Sequence, residues 1–181
     1  MKTLRLILRE PAADDAPALS AYYRRNAARF SRWEPARADD VEVQRAWIDE
    51  RQRARRADHR TGFLVFEAAG GALTGVVTLD GFSERPRGAM LSYSIDASCE
   101  GRGYASEAVA CTIAYAFDVL GLDVLTAYYH PGNARSGRLL ERLGFRIIAR
   151  TDPVPGFEAL MRPQVVAERT RAASGLPAAD V

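Results

Sequence analysis

A chain of 181 residues, 48% apolar and 27% charged, has the length of one domain and the composition of a soluble globular protein, which excludes disordered, fibrous and coiled-coil classes. Twenty-five Lys and Arg against 23 Asp and Glu leave a net charge of only +2, too little for a surface that binds nucleic acid over its whole extent. Cys99 and Cys111 are the only cysteines and have no His cluster beside them, so free thiols of a reducing cytoplasm, and no metal, are expected. Arginines interrupt the apolar residues between Met1 and Arg9, leaving no signal-peptide core. The run Ala108 to Phe117 falls short of the ~20 residues that cross a bilayer, so no membrane partner is expected.

In chain order, Leu4, Leu6 and Leu8 alternate with Arg5, Ile7 and Arg9 before Pro11, the pattern of a half-buried strand. A helix over Ala12 to Asn26 carries Asp14 and Asp15 in its first turn and Arg24 and Arg25 in its last, complementing the helix dipole. Asp39 and Asp40 can cap a second helix reaching to about Ala57, with Val41, Val43, Trp47 and Ile48 as its apolar stripe. Its end holds Arg51, Arg53, Arg55, Arg56 and Arg60, either a solvated helix terminus or a contact for RNA or an acidic partner. From Gly62 the period becomes that of strands: Phe63 to Phe66, a turn at Ala69 to Gly71, then Ala72 to Leu79 form a hairpin. A turn-rich loop from Gly81 to Gly88 leads to a strand over Met90 to Ile95.

Ala105, Ala108, Val109, Thr112, Ile113, Ala116, Phe117 and Leu120 recur at spacings of three and four, predicting a helix over Tyr104 to Leu120 that stops at Gly121. A strand over Val124 to His130, a turn at Pro131 to Asn133, a short helix from Ala134 to Leu143 and a strand from Phe145 to Ala149 complete the pattern. The sum is an α/β fold with a mixed, mostly antiparallel sheet of six to seven strands and helices on both sides. Residues 1–162 read as one domain, and 163–181 as a helix-capable segment, Gln164 to Ala173, with a loose tail.

The chemistry-bearing motif is Glu100-Gly101-Arg102-Gly103-Tyr104-Ala105, a strand-to-helix turn. Two glycines leave backbone N–H groups bare at a positive helix end, which suits phosphate, although such turns also need glycine for backbone reasons alone. No Lys-Ser/Thr follows the second glycine, so the turn is not a P-loop. Its place after a strand meander excludes a dinucleotide-binding βαβ unit.

Together with Tyr93-Ser94-Ile95-Asp96 before it and Asn133-Ala134-Arg135-Ser136 through Leu143-Gly144-Phe145 after it, this turn resembles the GNAT family of acetyl-CoA-dependent N-acetyltransferases. Tyr22-Tyr23 and Phe30-Ser31-Arg32-Trp33-Glu34-Pro35 look like the bacterial branch that acetylates the N-terminal alanine of ribosomal proteins. The resemblance runs from about Leu4 to Ala149. It implies that the strands at Met90–Ile95 and Val124–His130 splay apart to admit the pantetheine arm of acetyl-CoA. It implies Ile95 as a backbone partner of that arm, Gly101, Arg102, Gly103, Tyr104 and Ala105 as the pyrophosphate cradle, and Asn133 as a side-chain partner. Arg138 is a further residue able to meet phosphate. Asn133 is equally suited to cap the helix that follows it. Glu100 departs from the family's Gln or Arg, and its charge needs offsetting, for which Arg102 is the neighbouring candidate.

Ser136 matches the serine that in this branch protonates the departing CoA sulfur; a helix-start serine can also simply satisfy the first turn. His130, with an ordinary pKa of ~6.5, is a candidate to take the amine proton. Asp152 and Glu158 are weaker base candidates, and Tyr93 and Tyr129 candidate cleft residues. An α-amine with pKa ~7.7–8.0 is roughly 10–20% neutral at pH 7 against about 0.04% for lysine. With no strong carboxylate base in the matching strands, the N-terminal amine of a protein is the favoured acceptor. A small amine such as an antibiotic, toxin or metabolite is the alternative, and a non-catalytic acyl-CoA- or RNA-binding module is the reading from another class.

Overall fold

Successive strand residues point to opposite faces, and the residues of the second strand divide accordingly: Phe63 and Val65 join one hydrophobic core, Leu64 and Phe66 the other. The computed structural model describes residues 1–34, 37–56, 61–151 and 163–171. Its strands are β1 (Leu6–Arg9), β2 (Thr61–Glu67), β3 (Leu73–Glu84), β4 (Arg87–Ile95), β5 (Val124–Tyr129), β6 (Arg146–Thr151) and β7 (Gln164–Thr170). Its helices are α1 (Ala16–Phe30), α2 (Val41–Arg56), α3 (Tyr104–Ala114), which continues as a wider turn over Tyr115–Val119, and α4 (Ala134–Arg142). The seven strands form one sheet in the order β1-β2-β3-β4-β5-β7-β6. Only β4 and β5 pair in parallel; the other pairs are antiparallel.

Helices α1 and α2 cover one face through Leu19, Tyr22, Phe30 and Ile48. Helices α3 and α4 cover the other through Val109, Ile113, Leu139 and Leu140. The expected mixed α/β sheet, mostly antiparallel with helices on both sides, is therefore present. Asp40 caps α2 as expected, its carboxylate accepting the N–H of Glu42 at 2.8 Å. Asp15 does not sit in the first turn of a helix starting at Ala12. A short tight turn, Ala13–Asp15, precedes α1, and both Asp15 oxygens accept from Arg9 at 2.6 Å.

Three further expectations are corrected. Gly81 to Gly88 is not a loop: β3 and β4 continue through most of it, pairing Ser83 with Gly88 and Glu84 with Arg87. Gln164–Thr170 is a strand and not a helix, inserted between β5 and β6; the sheet therefore extends past residue 162. Val165, Val166 and Ala167 are buried, and a central strand covered on both faces reads as a continuous apolar run. Arg51 is no member of an exposed cationic patch. Its side chain, 12% exposed, pairs with Asp80 at 2.7 Å, donates to the Thr61 carbonyl at 3.1 Å and lies over the Trp47 ring. Arg53 is exposed. Arg60, the side chains of Arg55 and Arg56, the base candidates Asp152 and Glu158, and the tail from residue 172 lie outside the described residues.

Candidate active site

The site begins where the sheet stops pairing. Strands β4 and β5 are joined only at Gly88–Val124, Ala89–Leu125 and Met90–Thr126. On their outer edges β4 stays paired with β3 to Ile95, and β5 with β7 to Tyr129. Beyond Met90 and Thr126 the inner edges part, which is the splay that the resemblance implied. An unpaired strand edge offers N–H and C=O groups to an extended ligand.

The turn after β4 is held from below by Asp96. Its carboxylate accepts from the Ser98 N–H at 2.9 Å and hydroxyl at 2.8 Å, from Arg25 at 2.5 Å and from the Asn26 amide at 3.1 Å. Burial alone would raise its pKa, but these hydrogen bonds outweigh it and bring the carboxyl down to about 2. Gly101 and Gly103 then take φ of +75° and +78°, a left-handed backbone that side chains with a Cβ adopt at a cost of roughly 1–2 kcal/mol. Gly103 is the N-cap of α3, so the first N–H groups of that helix open onto the turn.

Arg102 points elsewhere. Its guanidinium pairs with Glu67 at 2.8 Å and donates to the Tyr104 hydroxyl at 2.6 Å, while Tyr104 donates to Glu67 at 2.5 Å. These hydrogen bonds from Tyr104 and Arg102 hold the Glu67 carboxyl below its ordinary range. The charge of Glu100 is instead offset by two residues that sequence spacing did not indicate. Arg29 of α1 pairs with it at 2.8 Å, and Arg135 of α4 pairs with its other oxygen. Arg29 also donates to the Ile95 carbonyl, in the residue whose backbone the resemblance implies as a partner of the pantetheine arm. Arg5 was likewise missed. It donates to the Arg102 carbonyl at 2.7 Å and pairs with Glu107 at 2.6 Å, tying the turn to β1.

At the other end of the cleft Asn133 caps α4, its side-chain oxygen accepting the Ser136 N–H at 3.2 Å. The Ser136 hydroxyl lies 2.7 Å from that of Tyr93. Burial pushes the Tyr93 phenol up to about 12, although its Ser136 hydrogen bond acts in the opposite direction. Tyr129 packs beside this pair, and Gly137 makes room for it: a Cβ there would stand 3.1 Å from the Tyr129 hydroxyl. His130 accepts the Gly132 N–H on Nδ1 at 3.0 Å and lies 5.7 Å, centre to centre, from the Trp33 ring. In the neutral ring this bond places the proton on Nε2. The fold thus gathers Tyr93, Tyr129, Asn133 and Ser136 at one end of the cleft and Gly101, Gly103 and the α3 terminus at the other. Arg138 is exposed on α4. Cys99 is buried, Cys111 is half-buried, and both are free. Among the described residues no cluster of His, Cys, Asp and Glu could hold a metal, and no helix is long and apolar enough to cross a membrane.

Comparison with known proteins gives the same architecture a lineage. Residues 5–146 match the acetyltransferase (GNAT) domain family. The chain is 36% identical over 123 residues to the probable N-acetyltransferase YjcK of Bacillus subtilis (strain 168), a match spanning 64% of this chain and 66% of that relative, just under two thirds of its length. It is 32% identical over 153 residues, 80% of this chain and 77% of the relative, to the [ribosomal protein uS5]-alanine N-acetyltransferase of Escherichia coli (strain K12). Among solved structures it superposes on the ribosomal-protein-S5-alanine acetyltransferase of Vibrio fischeri with a TM-score of 0.86 at 21% identity, covering 94% of this chain and 95% of that one.

Proposed function

The chain belongs to the GNAT acetyltransferase family, and from that premise we propose that it transfers the acetyl group of acetyl-CoA to a primary amine, the N-terminal α-amine of a protein such as a ribosomal protein. Family membership implies acyl-CoA-dependent acetyl transfer. The observation that carries the reading is one cleft with two differently equipped ends. A helix N-terminus with Gly101 and Gly103 suits the pyrophosphate, and hydroxyls at Tyr93 and Ser136 stand where parted strand edges would bring a thioester. The name of the Escherichia coli relative supports the choice of acceptor.

In this reading the backbone of the Gly101–Ala105 turn donates to phosphate, and the positive end of α3 favours that charge. The parted edges of β4 and β5 take the pantetheine arm as an added strand, with Arg29 yielding the Ile95 carbonyl to it. Arg102 shapes the cradle through Glu67 and Tyr104 rather than meeting phosphate. Asn133 orients the α4 terminus, and Ser136 gives a proton to the departing thiolate. His130 takes the amine proton on Nδ1 only by surrendering its Gly132 hydrogen bond. The chemistry therefore favours an acceptor that needs little deprotonation, and an α-amine with pKa ~7.7–8.0 is one.

CoA release measured over a panel of acceptors tests this. Peptides with free N-termini, beginning with alanine and with other residues, should turn over; the same peptides Nα-blocked but carrying lysine should not. Turnover confined to small amines would replace the acceptor assignment, and CoA binding with no turnover on any amine would replace catalysis by a binding role.

A further inference from the structure

Two hydroxyls meet across the cleft, the Tyr93 phenol from β4 and the Ser136 alcohol from the first turn of α4, 2.7 Å apart. The direction of this hydrogen bond follows from acidity and from the available acceptors. The phenol stays protonated at neutral pH, since burial pushes it up to about 12, and it is a far stronger acid than an aliphatic alcohol. The other acceptor near its proton is the Ser136 carbonyl at 3.5 Å, the outer limit for such a bond. The phenol therefore donates to Ser136 Oγ. Among the described residues Ser136 makes no other hydroxyl hydrogen bond, so its own proton is left to turn toward the cleft.

This arrangement addresses a weakness of serine as a proton donor. Giving up the proton builds negative charge on an oxygen that holds such charge poorly. A second hydroxyl donating to that oxygen offsets the charge as it develops. We infer that Tyr93 is a positioning residue that fixes the Ser136 rotamer and, by donating to Oγ, makes the serine O–H a better donor to the sulfur of CoA. The inference rests on the acetyl-transfer reading and assigns a partner to its proton donor. In the step itself the amine nitrogen bonds to the thioester carbon, the carbon–sulfur bond breaks and sulfur keeps the electron pair. Sulfur takes the Ser136 proton, nitrogen gives its proton to His130, and a proton returns from there through solvent to Ser136 Oγ, so both hydroxyls end the turnover as they began.

The test reads the bound thiol directly and needs no acceptor. The ultraviolet absorbance of the CoA thiolate, titrated with pH on the wild-type chain, should show the bound thiol below its free pKa, ~8.5 by analogy with cysteine. Tyr93→Phe should move it back by at least about half a unit. Ser136→Ala should do the same, and the double variant should go little further than either single one. With a confirmed acceptor, Tyr93→Phe should lower kcat about tenfold and change acetyl-CoA affinity less than about twofold. A bound thiol that titrates at its free value, or one that Tyr93→Phe leaves unmoved, overturns the pairing even where acetyl transfer is measured. A lowered thiol pKa lost in both variants supports the pairing even where no amine is acetylated, in which event the acetyl-transfer reading alone fails. Should Tyr93→Phe not fold, 3-fluorotyrosine at position 93 keeps the ring and makes the phenol a stronger donor to Ser136 Oγ; the bound thiol should then titrate lower than in the native chain, and a thiol left unmoved overturns the pairing.

Discussion

Replacing Asp96 by Asn keeps the shape of the side chain and removes the charge that anchors the Gly101–Gly103 turn to α1. In the native protein the carboxyl titrates at about 2, against ~3.9 in an unfolded chain. A difference of ~2 units at 1.36 kcal/mol each contributes on the order of 2–3 kcal/mol to stability at neutral pH. The Asp96 side chain is 7% exposed and its partner Arg25 45%, so solvent screens the ion pair and the Ser98 and Asn26 hydrogen bonds carry most of this. Because the folded pKa is the lower one, the stability is fully present above pH ~4 and is lost as pH falls through about 2. Asp96→Asn should therefore unfold about 2–3 kcal/mol more easily at pH 7 by urea titration, lowering Tm by roughly 5–10 °C for a chain of this size. The gap between wild type and variant should narrow steadily between pH 4 and pH 2. Acetyl-CoA affinity should fall with it, since the Ser98 turn that leads to Gly101 loses its anchor. A variant within about 0.5 kcal/mol of wild type at pH 7, or a gap that does not change with pH, would mean that the ionised Asp96 carboxylate does not anchor the turn.

The other predictions concern the two ends of the cleft and the α2 arginines. Ser136→Ala should lower kcat by at least about tenfold with acetyl-CoA affinity nearly unchanged; retained kcat with only a lower Tm would make Ser136 a helix-start residue. Gly103→Val places a branched side chain at φ +78° beside Arg5 and should weaken CoA binding at least about tenfold by calorimetry, with the folded circular dichroism spectrum retained. Arg51→Ala removes the guanidinium that pairs with Asp80 at 2.7 Å and donates to the Thr61 carbonyl and should cost about 1–3 kcal/mol of stability. Its ribosome or RNA co-sedimentation at low salt should equal that of wild type, whereas a selective loss of co-sedimentation would return Arg51 to a partner surface.

The legible part of the chain was the part governed by local rules. Alternation gave β1 and the β2–β3 hairpin, threefold and fourfold spacing gave α3, and Asn133 announced the cap of α4. Strand β7 was hidden because Val165-Val166-Ala167 is a short apolar run, which a helix or a central strand carries equally well; the two adjacent valines were the available signal for the strand. The β3–β4 extension was hidden by Gly81, Pro86 and Gly88, which read as loop residues. In the site, the two glycines and Ser136 stood in a local motif, whereas the ion pairs did not. Arg29 and Arg135 reach Glu100 from 71 and 35 residues away, and Arg102 turns to Glu67 across the sheet. Such partners are chosen by the packing of α1 and α4 against the sheet, which no spacing within one element encodes.

Acetyl transfer to an α-amine can be separated from transfer to a side chain on one peptide, an alanine-initiated sequence bearing both a free N-terminus and an internal lysine. After incubation with the protein and acetyl-CoA, fragmentation mass spectrometry locates the acetyl group. Acetylation at the N-terminal nitrogen, with the lysine unmodified, is the predicted result. Acetyl on the lysine Nζ, or an unmodified peptide beside a protein shown to bind acetyl-CoA, would contradict it.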